Sequence, residues 1–479
     1  MFILFLFLLF FNFFFFDIIA DDTIDLCHHK LMIKIEKSIS FMNISINYTL
    51  ISSLIMNWSE TPNYLKGISN KLNQINDPVR IAAFDLDDTL FTKKKHKGKS
   101  VGWKLIDESI TKKISDLVMN KYIIVIFTNQ KGMGTNKNFN KPKWINNFNE
   151  LLKVLMTKVK NDKYYLAIYA SKMDDMYRKP NMGMWEQMKI DIQREFNLVK
   201  IRVSKKSFYC GDAAGRIKNG YYQKKLHPTS KKQGDFSDTD RKFALNIGID
   251  FYTPEEFYLD NPEDIPYKFL GLDPAKFVEA LYNKKDNPQL IVNVNYNKIE
   301  TINVTTDSKY QFIARKKEMI VMIGQMGAGK TDFVNKYILP KGYVHISKDK
   351  CKSTNKCLTE TKNALEKGKS VVIDNTNPDV VSRMNYTSLA KDYGYKHIRA
   401  IEIKIPNAIA RHLNNVRHIY SKGKIPKVNK IAYNVFRSKY VKPLESEYFD
   451  KIETLDFIFD KEQLNDPLWK KIFLKWSEA

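Results

Sequence analysis

The stretch that most restricts this chain runs from Met319 to Thr331. Met319-Ile320-Val321-Met322-Ile323 reads as a buried strand. It leads directly into Gly324-Gln325-Met326-Gly327-Ala328-Gly329-Lys330-Thr331, after which a helical pattern begins. A complete Gly-x-x-x-x-Gly-Lys-Thr between strand and helix commits this region to an α/β sheet with a phosphate-cradling loop at its carboxyl edge. Gly324, Gly327 and Gly329 let backbone N–H groups wrap the phosphates, Lys330 reaches the β/γ-phosphates, and Thr331 binds Mg²⁺. Composition alone would produce this motif with a chance on the order of one in a hundred, so a Gly-rich turn with a surface lysine is the weaker reading.

Downstream strands end in usable side chains. Tyr343–Ile346 leads into Ser347-Lys348-Asp349, where Asp349 can take the proton of an attacking hydroxyl. Val371-Val372-Ile373 ends in Asp374, where an NTPase places the carboxylate that supports Mg²⁺. Arg383 follows on the next helix. Arg411 and Arg417 could form a basic lid over donor phosphates, although isolated arginines on a polar helix are usually solvated.

A second constellation lies earlier. Ile81-Ala82-Ala83-Phe84 is a short apolar strand that ends in Asp85-Leu86-Asp87-Asp88-Thr89. Strand alternation would point Asp85 and Asp87 the same way, and paired carboxylates call for a hard cation such as Mg²⁺ between them. Residues 78–260 alternate strand and helix patterns, as a parallel sheet with crossover helices would. The expected strands are Val79–Phe84, Tyr122–Phe127, Tyr164–Tyr169 and Ser207–Cys210. Their ends and following loops carry Thr128-Asn129-Gln130, Tyr177-Arg178-Lys179-Pro180 and Gly211-Asp212-Ala213-Ala214-Gly215-Arg216, with Asp235 farther on. Each alone has a bland reading: a turn or cap for the aspartates, a solvated charge for Lys179. Together, at strand ends and in this order, they leave little room for coincidence.

That order resembles the haloacid dehalogenase superfamily of phosphatases. The resemblance implies that Asp85 attacks phosphorus to form an aspartyl-phosphate, and that Asp87 protonates the leaving alkoxide and then activates water. It implies a Mg²⁺ site of Asp85, Asp87 and Asp212, with Asp235 a weaker candidate, and phosphate contacts from Thr128 and Lys179. Asn129, Arg178 and Arg216 are expected to contact substrate. Asp88 stands where relatives often have Gly.

The pairing of both sites resembles the polynucleotide kinase 3′-phosphatase family. The matching stretches are Phe84–Thr89, Tyr177–Trp185, Gly211–Arg216, Thr253–Phe257, Gly342–His345 and Ile373–Asp379. The resemblance covers about residues 78–460. It implies a haloacid dehalogenase-like Rossmannoid domain followed by a P-loop kinase α/β domain. It also implies hydrolysis of 3′-phosphates and ATP-dependent phosphorylation of 5′-hydroxyls at DNA breaks, with Mg²⁺ and ATP required. Asp349 would be the kinase base, with Lys348 and Arg383 contacting the acceptor. Lys348 departs from the expected Arg, keeping the charge but losing the planar fork.

The rest of the 479 residues bounds this reading. The expected organisation is a hydrophobic segment (1–20), an extension (21–77), the phosphatase domain (78–260), a linker region (261–315) and the kinase domain (316–479). Segment 1–20 is open between targeting signal, membrane anchor and mispredicted start. Residues 21–77 are too short for a forkhead-associated domain. The net charge of +25 suits a polyanionic partner such as nucleic acid, unless Lys is simply abundant throughout. Four cysteines with no paired spacing argue against a zinc module or disulfide framework. DNA ends are therefore the expected partner, with RNA open. A monomer is expected, with a separate ligase for sealing since no Lys-x-Asp-Gly motif occurs. The expected location is the nucleus, with a DNA-containing organelle as the alternative. Competing functions are a fused small-metabolite kinase/phosphatase and a non-catalytic nucleic-acid tether. A small substrate needs no extended basic track, and intact catalytic carboxylates count against a tether.

Overall fold

Apolar segments too short for helices become strands, and each hands its chain to polar residues at one edge of a sheet. The first part of the chain forms β1 (Asn57–Glu60), β2 (Tyr64–Asn70), β3 (Arg80–Phe84), a hairpin of β4 (Phe91–His96) and β5 (Lys99–Leu105), then β6 (Tyr122–Asn129), β7 (Tyr165–Ser171), β8 (Phe208–Cys210) and β9 (Asp250–Tyr252). Apart from the hairpin they make one sheet in the order β1-β2-β7-β6-β3-β8-β9. Strands β7, β6, β3, β8 and β9 run parallel, and β2 and β1 are added antiparallel at one edge. Ile123–Phe127 and Leu166–Ala170 are buried without alternation, as strands covered on both faces must be. This computed structural model describes residues 56–96, 99–160, 163–217, 234–259, 266–282, 289–295, 298–303, 310–457 and 459–478. The 1–20 segment, most of the 21–77 extension and part of the basic run 93–97 lie outside them.

The extension is not wholly a preface to the sheet. Its β1 and β2 pair into it, and Tyr64 and Leu65 are buried. β2 pairs with β7, which lies more than ninety residues away, so no local pattern announces it.

The second part forms a hairpin of β10 (Gln289–Asn295) and β11 (Lys298–Asn303), then β12 (Glu318–Ile323), β13 (Val344–Ile346), β14 (Val371–Ile373), β15 (His397–Lys404) and β16 (Lys451–Asp456). The last five make an all-parallel sheet in the order β13-β14-β12-β15-β16. β12 feeds two cores by strand alternation. Met319, Val321 and Ile323 pack with Ile346 and Ile373; Ile320 and Met322 pack with Ile401 and Ile403. The second core also takes Phe277 and Leu281 from the Pro274–Tyr282 helix and Leu290, Val292 and Ile302 from the β10-β11 hairpin. Much of the stretch expected to be a linker therefore packs into this core. Its broken periodicity reflects a short hairpin rather than an unstructured connection.

Residues 56–479 form one compact unit. After the Pro467–Phe473 helix the chain returns to the first sheet's Thr239–Ile247 helix, where Trp476 N–H donates to Asn246 Oδ1 at 2.8 Å. No helix among the described residues is long and apolar enough to cross a membrane.

Candidate active sites

β3 ends at Phe84, and Asp85 N–H donates to the Cys210 carbonyl of neighbouring β8 at 2.8 Å. This ties the first carboxylate to the loop that carries Asp212. One carboxylate oxygen each from Asp85, Asp212 and Asp240 falls within 4.8 Å of the other two. Lys179 reaches into the same cluster. Its Nζ donates to Asp85 Oδ1 at 2.5 Å, Asp240 Oδ1 at 2.7 Å and the Tyr209 hydroxyl at 2.8 Å. Lys179 is 2% exposed and Asp85 7%. Burial pulls the Lys179 ammonium down, but the Asp240 and Asp85 charges outweigh it and hold the ammonium above its usual range. Burial, opposed by Lys179 and reinforced by Asp240 and Asp87, pushes the Asp85 carboxyl up to about 8. Burial, then Asp240 and Asp85, holds the Asp212 carboxyl well above its usual range. Three carboxyls sharing one ammonium in a desolvated pocket lack positive charge, and an all-oxygen donor set suits Mg²⁺.

Asp87 does not join that cluster. The strand has already ended at Phe84, so alternation does not carry through to Asp87. Asp87 Oδ2 instead accepts from Gln130 Nε2 at 2.6 Å, and the same amide donates to Thr128 Oγ1 at 2.9 Å. Burial, despite Lys93 and Gln130, pushes the Asp87 carboxyl up. Asp88 has φ 53°, a left-handed conformation that Asp tolerates and Gly takes freely. Gly211 is required for another reason: a Cβ there would lie 2.6 Å from the Asp240 carboxylate.

Other expected contacts turn out to be braces. Arg216 is 2% exposed; it donates to Asp235 Oδ2 at 2.8 Å, to Glu255 Oε2 at 2.8 Å and to the Asp212 carbonyl at 3.1 Å. Neither Arg216 nor Asp235 is free for substrate or metal; the pair holds the Asp212 loop. Asn129 bonds the Lys179 backbone from both sides, accepting from its N–H at 2.9 Å and donating to its carbonyl at 3.2 Å. Arg178 pairs with Glu478 at 3.2 Å.

In the second sheet, Gly324, Gly327 and Gly329 form the loop between β12 and the Lys330–Phe333 helix. Gly327 has φ 78°, and a Cβ there would meet the Ala410 carbonyl at 2.7 Å. Lys330 Nζ folds back onto the Gly324 and Gln325 carbonyls at 2.8 and 2.9 Å. Burial, opposed by Asp374, pushes its ammonium down to about 8. Thr331 Oγ1 donates to Asp374 Oδ2 at 2.8 Å, joining the two expected Mg²⁺-side residues. His345 Nε2 lies 3.0 Å from the same oxygen and Lys350 Nζ 2.9 Å from His345 Nδ1, so a neutral His345 donates through Nε2 and accepts from Lys350. Asp349 and Lys348 are exposed on the short Lys348–Cys351 helix, which Ser347 caps. Lys348 N–H donates to Asn375 Oδ1 at 2.8 Å. A cavity of about 570 Å³ opens beside Gly324 and Gln325, lined in part by Tyr433, Arg437, Phe457 and Phe459.

The arginines divide. Arg417 is exposed, and its charge acts on Lys330 and Asp332. Arg411 is partly buried; Glu478 and Asp174 are the acidic groups that act on it. Arg383 is 0% exposed and does not reach an acceptor. It makes a fork onto Glu447 at 2.7 and 2.8 Å and donates to the Asn377, Pro378 and Val441 carbonyls. A guanidinium with every nitrogen used inside the fold is a clamp between segments.

Residues 80–258 match the polynucleotide kinase 3 phosphatase family model, and residues 319–443 match an AAA domain model. A protein of Acanthamoeba polyphaga mimivirus that carries the name bifunctional polynucleotide phosphatase/kinase is 56% identical over 88% of this chain and 96% of its own length. The bifunctional polynucleotide phosphatase/kinase of Schizosaccharomyces pombe is 30% identical over 81% of this chain and 82% of its own. The chain belongs to the bifunctional polynucleotide phosphatase/kinase family. A polynucleotide 3′-phosphatase of Saccharomyces cerevisiae is 26% identical over 41% of this chain and 93% of its own.

The first sheet with its carboxylate cluster is thus the haloacid dehalogenase-like phosphatase part, and the second is the P-loop kinase part. Reading the sequence placed Gln130 and Asp240 among the strand-end and following residues but gave them no role, and gave none to Tyr209 or His345. Asp240 and Tyr209 meet Lys179 only through folding, and Gln130 sits one residue past the strand-end pair it serves. His345 lay within a matched stretch, and its place on a strand next to Asp374's strand was the available signal.

Proposed function

We propose that this protein heals broken DNA ends, removing a 3′-phosphate through an aspartyl-phosphate and phosphorylating a 5′-hydroxyl from ATP. The observation that carries this reading is the presence of two complete and different phosphate-handling sites in one strongly basic chain.

In the phosphatase reaction, Asp85 attacks phosphorus and the P–O3′ bond breaks. Asp87, whose carboxyl is raised by burial, gives its proton to the departing O3′. Water then attacks the aspartyl-phosphate, returning its proton to Asp87 and releasing inorganic phosphate. Lys179 holds Asp85 in position and neutralises phosphate charge, and Thr128 donates to a phosphate oxygen. Asp85, Asp212 and Asp240 would hold Mg²⁺, which supplies charge for the incoming phosphate and relieves the carboxylates' repulsion.

In the kinase reaction, Asp349 takes the proton of the 5′-hydroxyl as its oxygen attacks the γ-phosphorus and ADP departs. Lys330 leaves its carbonyl contacts for the donor phosphates, and Arg417 adds charge above them. Thr331 and Asp374 would hold Mg²⁺. The cavity beside Gly324 has room for the donor nucleoside.

The test uses a nicked duplex with a 3′-phosphate and a 5′-hydroxyl, Mg²⁺ and γ-labelled ATP, with both ends followed on one gel. Loss of the 3′-phosphate together with 5′ labelling is expected. Unchanged ends, with turnover of free nucleotides or sugar phosphates instead, would replace this reading with the small-metabolite one. Competition with an RNA duplex decides the nucleic acid preferred.

A further inference from the structure

The loop that presents Lys179 is held from the kinase side of the molecule. Asn181 and Asn415 are both 5% exposed and exchange amides: Asn415 Nδ2 donates to Asn181 Oδ1 at 2.9 Å, and Asn181 Nδ2 donates to Asn415 Oδ1 at 3.3 Å. Asn415 belongs to the Asn407–Tyr420 helix of the kinase part. One residue away, Asn246 Nδ2 donates both to the Pro180 carbonyl and to the Trp476 carbonyl, each at 2.8 Å. Arg178 pairs with Glu478. Three of the four residues Arg178-Lys179-Pro180-Asn181 are therefore tied, directly or through Asn246, to kinase-side elements. The fourth carries the ammonium among Asp85, Asp240 and Tyr209.

Buried amides that satisfy one another are costly to separate and specific in geometry. A lysine serving three partners within 2.8 Å tolerates little movement of its backbone. We infer that Asn415 and the C-terminal strap Lys475–Glu478 are positioning elements for the phosphatase: they set the Lys179 loop, so 3′-phosphate hydrolysis depends on the kinase part. This rests on the phosphatase reading of the first site. Asn415 touches no reacting atom and acts through Asn181.

The experiment uses the full chain with Asn181→Ala, Asn415→Ala, the double variant and Glu478→Gln. Phosphatase kcat and KM are measured on a 3′-phosphate duplex, with kinase rate and thermal melting measured on the same preparations. Each single Ala variant is expected to lower phosphatase kcat about tenfold, as misplacement of a catalytic group does. Asn181→Ala also removes the donation from Asn181 Nδ2 to the Asp175 carbonyl at 2.8 Å, and the double variant should fall no further than Asn181→Ala, which already lacks the Asn415 contact. Asn181→Ala should keep the wild-type kinase rate. Glu478→Gln, partly exposed and no threat to folding, should lower phosphatase kcat about twofold to threefold. Wild-type kcat in Glu478→Gln and in the folded Ala variants, or additive losses in the double variant, overturns the inference while leaving the phosphatase reading intact. Wild-type protein that leaves the 3′-phosphate in place overturns the reading and the inference together.

Discussion

Lys179 Nζ lies 2.5 Å from Asp85 Oδ1, and water is almost wholly excluded from both. The buried ammonium aims the attacking carboxyl and favours its ionised form, against a burial that on balance pushes the carboxyl up. Asp85→Asn keeps the shape but removes the charge. We expect it to lower 3′-phosphatase kcat by about 10³-fold or more while the kinase rate of the same protein stays within about twofold. The two-end gel assay checks both numbers at once.

Lys330 is the counterpart in the kinase part. Burial holds its pKa near 8, so at pH 8 about half the molecules carry it neutral. Donor phosphates favour the ammonium and raise that pKa. Binding ATP should then take up about half a proton at pH 8 and almost none at pH 6, where Lys330 is already charged. Calorimetry in two buffers of different ionisation heat measures the uptake. Lys330→Ala should abolish both the uptake and the kinase reaction and leave the phosphatase intact.

Arg383 should behave as a clamp. Arg383→Ala leaves the Glu447 carboxylate, 1% exposed, without its partner. Breaking a buried pair in this way costs about 3–5 kcal/mol. Denaturant unfolding should show that loss. An arginine serving only as an acceptor contact would instead leave the midpoint unchanged and raise KM for the oligonucleotide.

His412 makes the molecule acid-sensitive. Its Nε2–H donates to the Phe473 carbonyl at 2.8 Å, which leaves Nδ1 to accept from the Ser477 hydroxyl at 3.1 Å, so the ring is neutral. Burial pushes its pKa down from 6.5 to about 4. Above pH 6.5 neither folded nor unfolded chain is protonated there, and the full stability is present. As pH falls from 6.5 towards 4 the unfolded chain gains a proton that the folded chain refuses. Stability should drop by about 3 kcal/mol across that window. Unfolding at pH 7.5 and pH 4 measures the drop, and His412→Asn should flatten it. The strap packed on this ring should loosen first, because Ser477 bonds it directly.

Amino-acid order alone determined the strand ends and the phosphate loop. Burial periodicity is local, so Ile81–Phe84 and Met319–Ile323 announce themselves, and the residues following them must sit at a sheet edge. Local pattern also located Asp85, Lys179, Asp212, Lys330, Thr331 and Asp374 at the two sites.

Tertiary structure alone decided which charges are spent. Lys179 meets Asp240 across 61 positions, and Arg383 meets Glu447 across 64. Such pairings leave no period or spacing to read. An arginine written beside a motif looks the same whether it faces substrate or a buried glutamate, and only the packed fold chose the glutamate for Arg383 and Arg216. The same holds for β1, β2 and the β10-β11 hairpin. Their apolar residues are few and short-ranged, and they gain a place only because distant strands and cores expose the edges and faces that they cover. The amides of Asn181 and Asn415 lie 234 positions apart. Their meeting is a property of the two parts packed together, because a side-chain hydrogen bond acts only over the few ångströms that folding brings within reach.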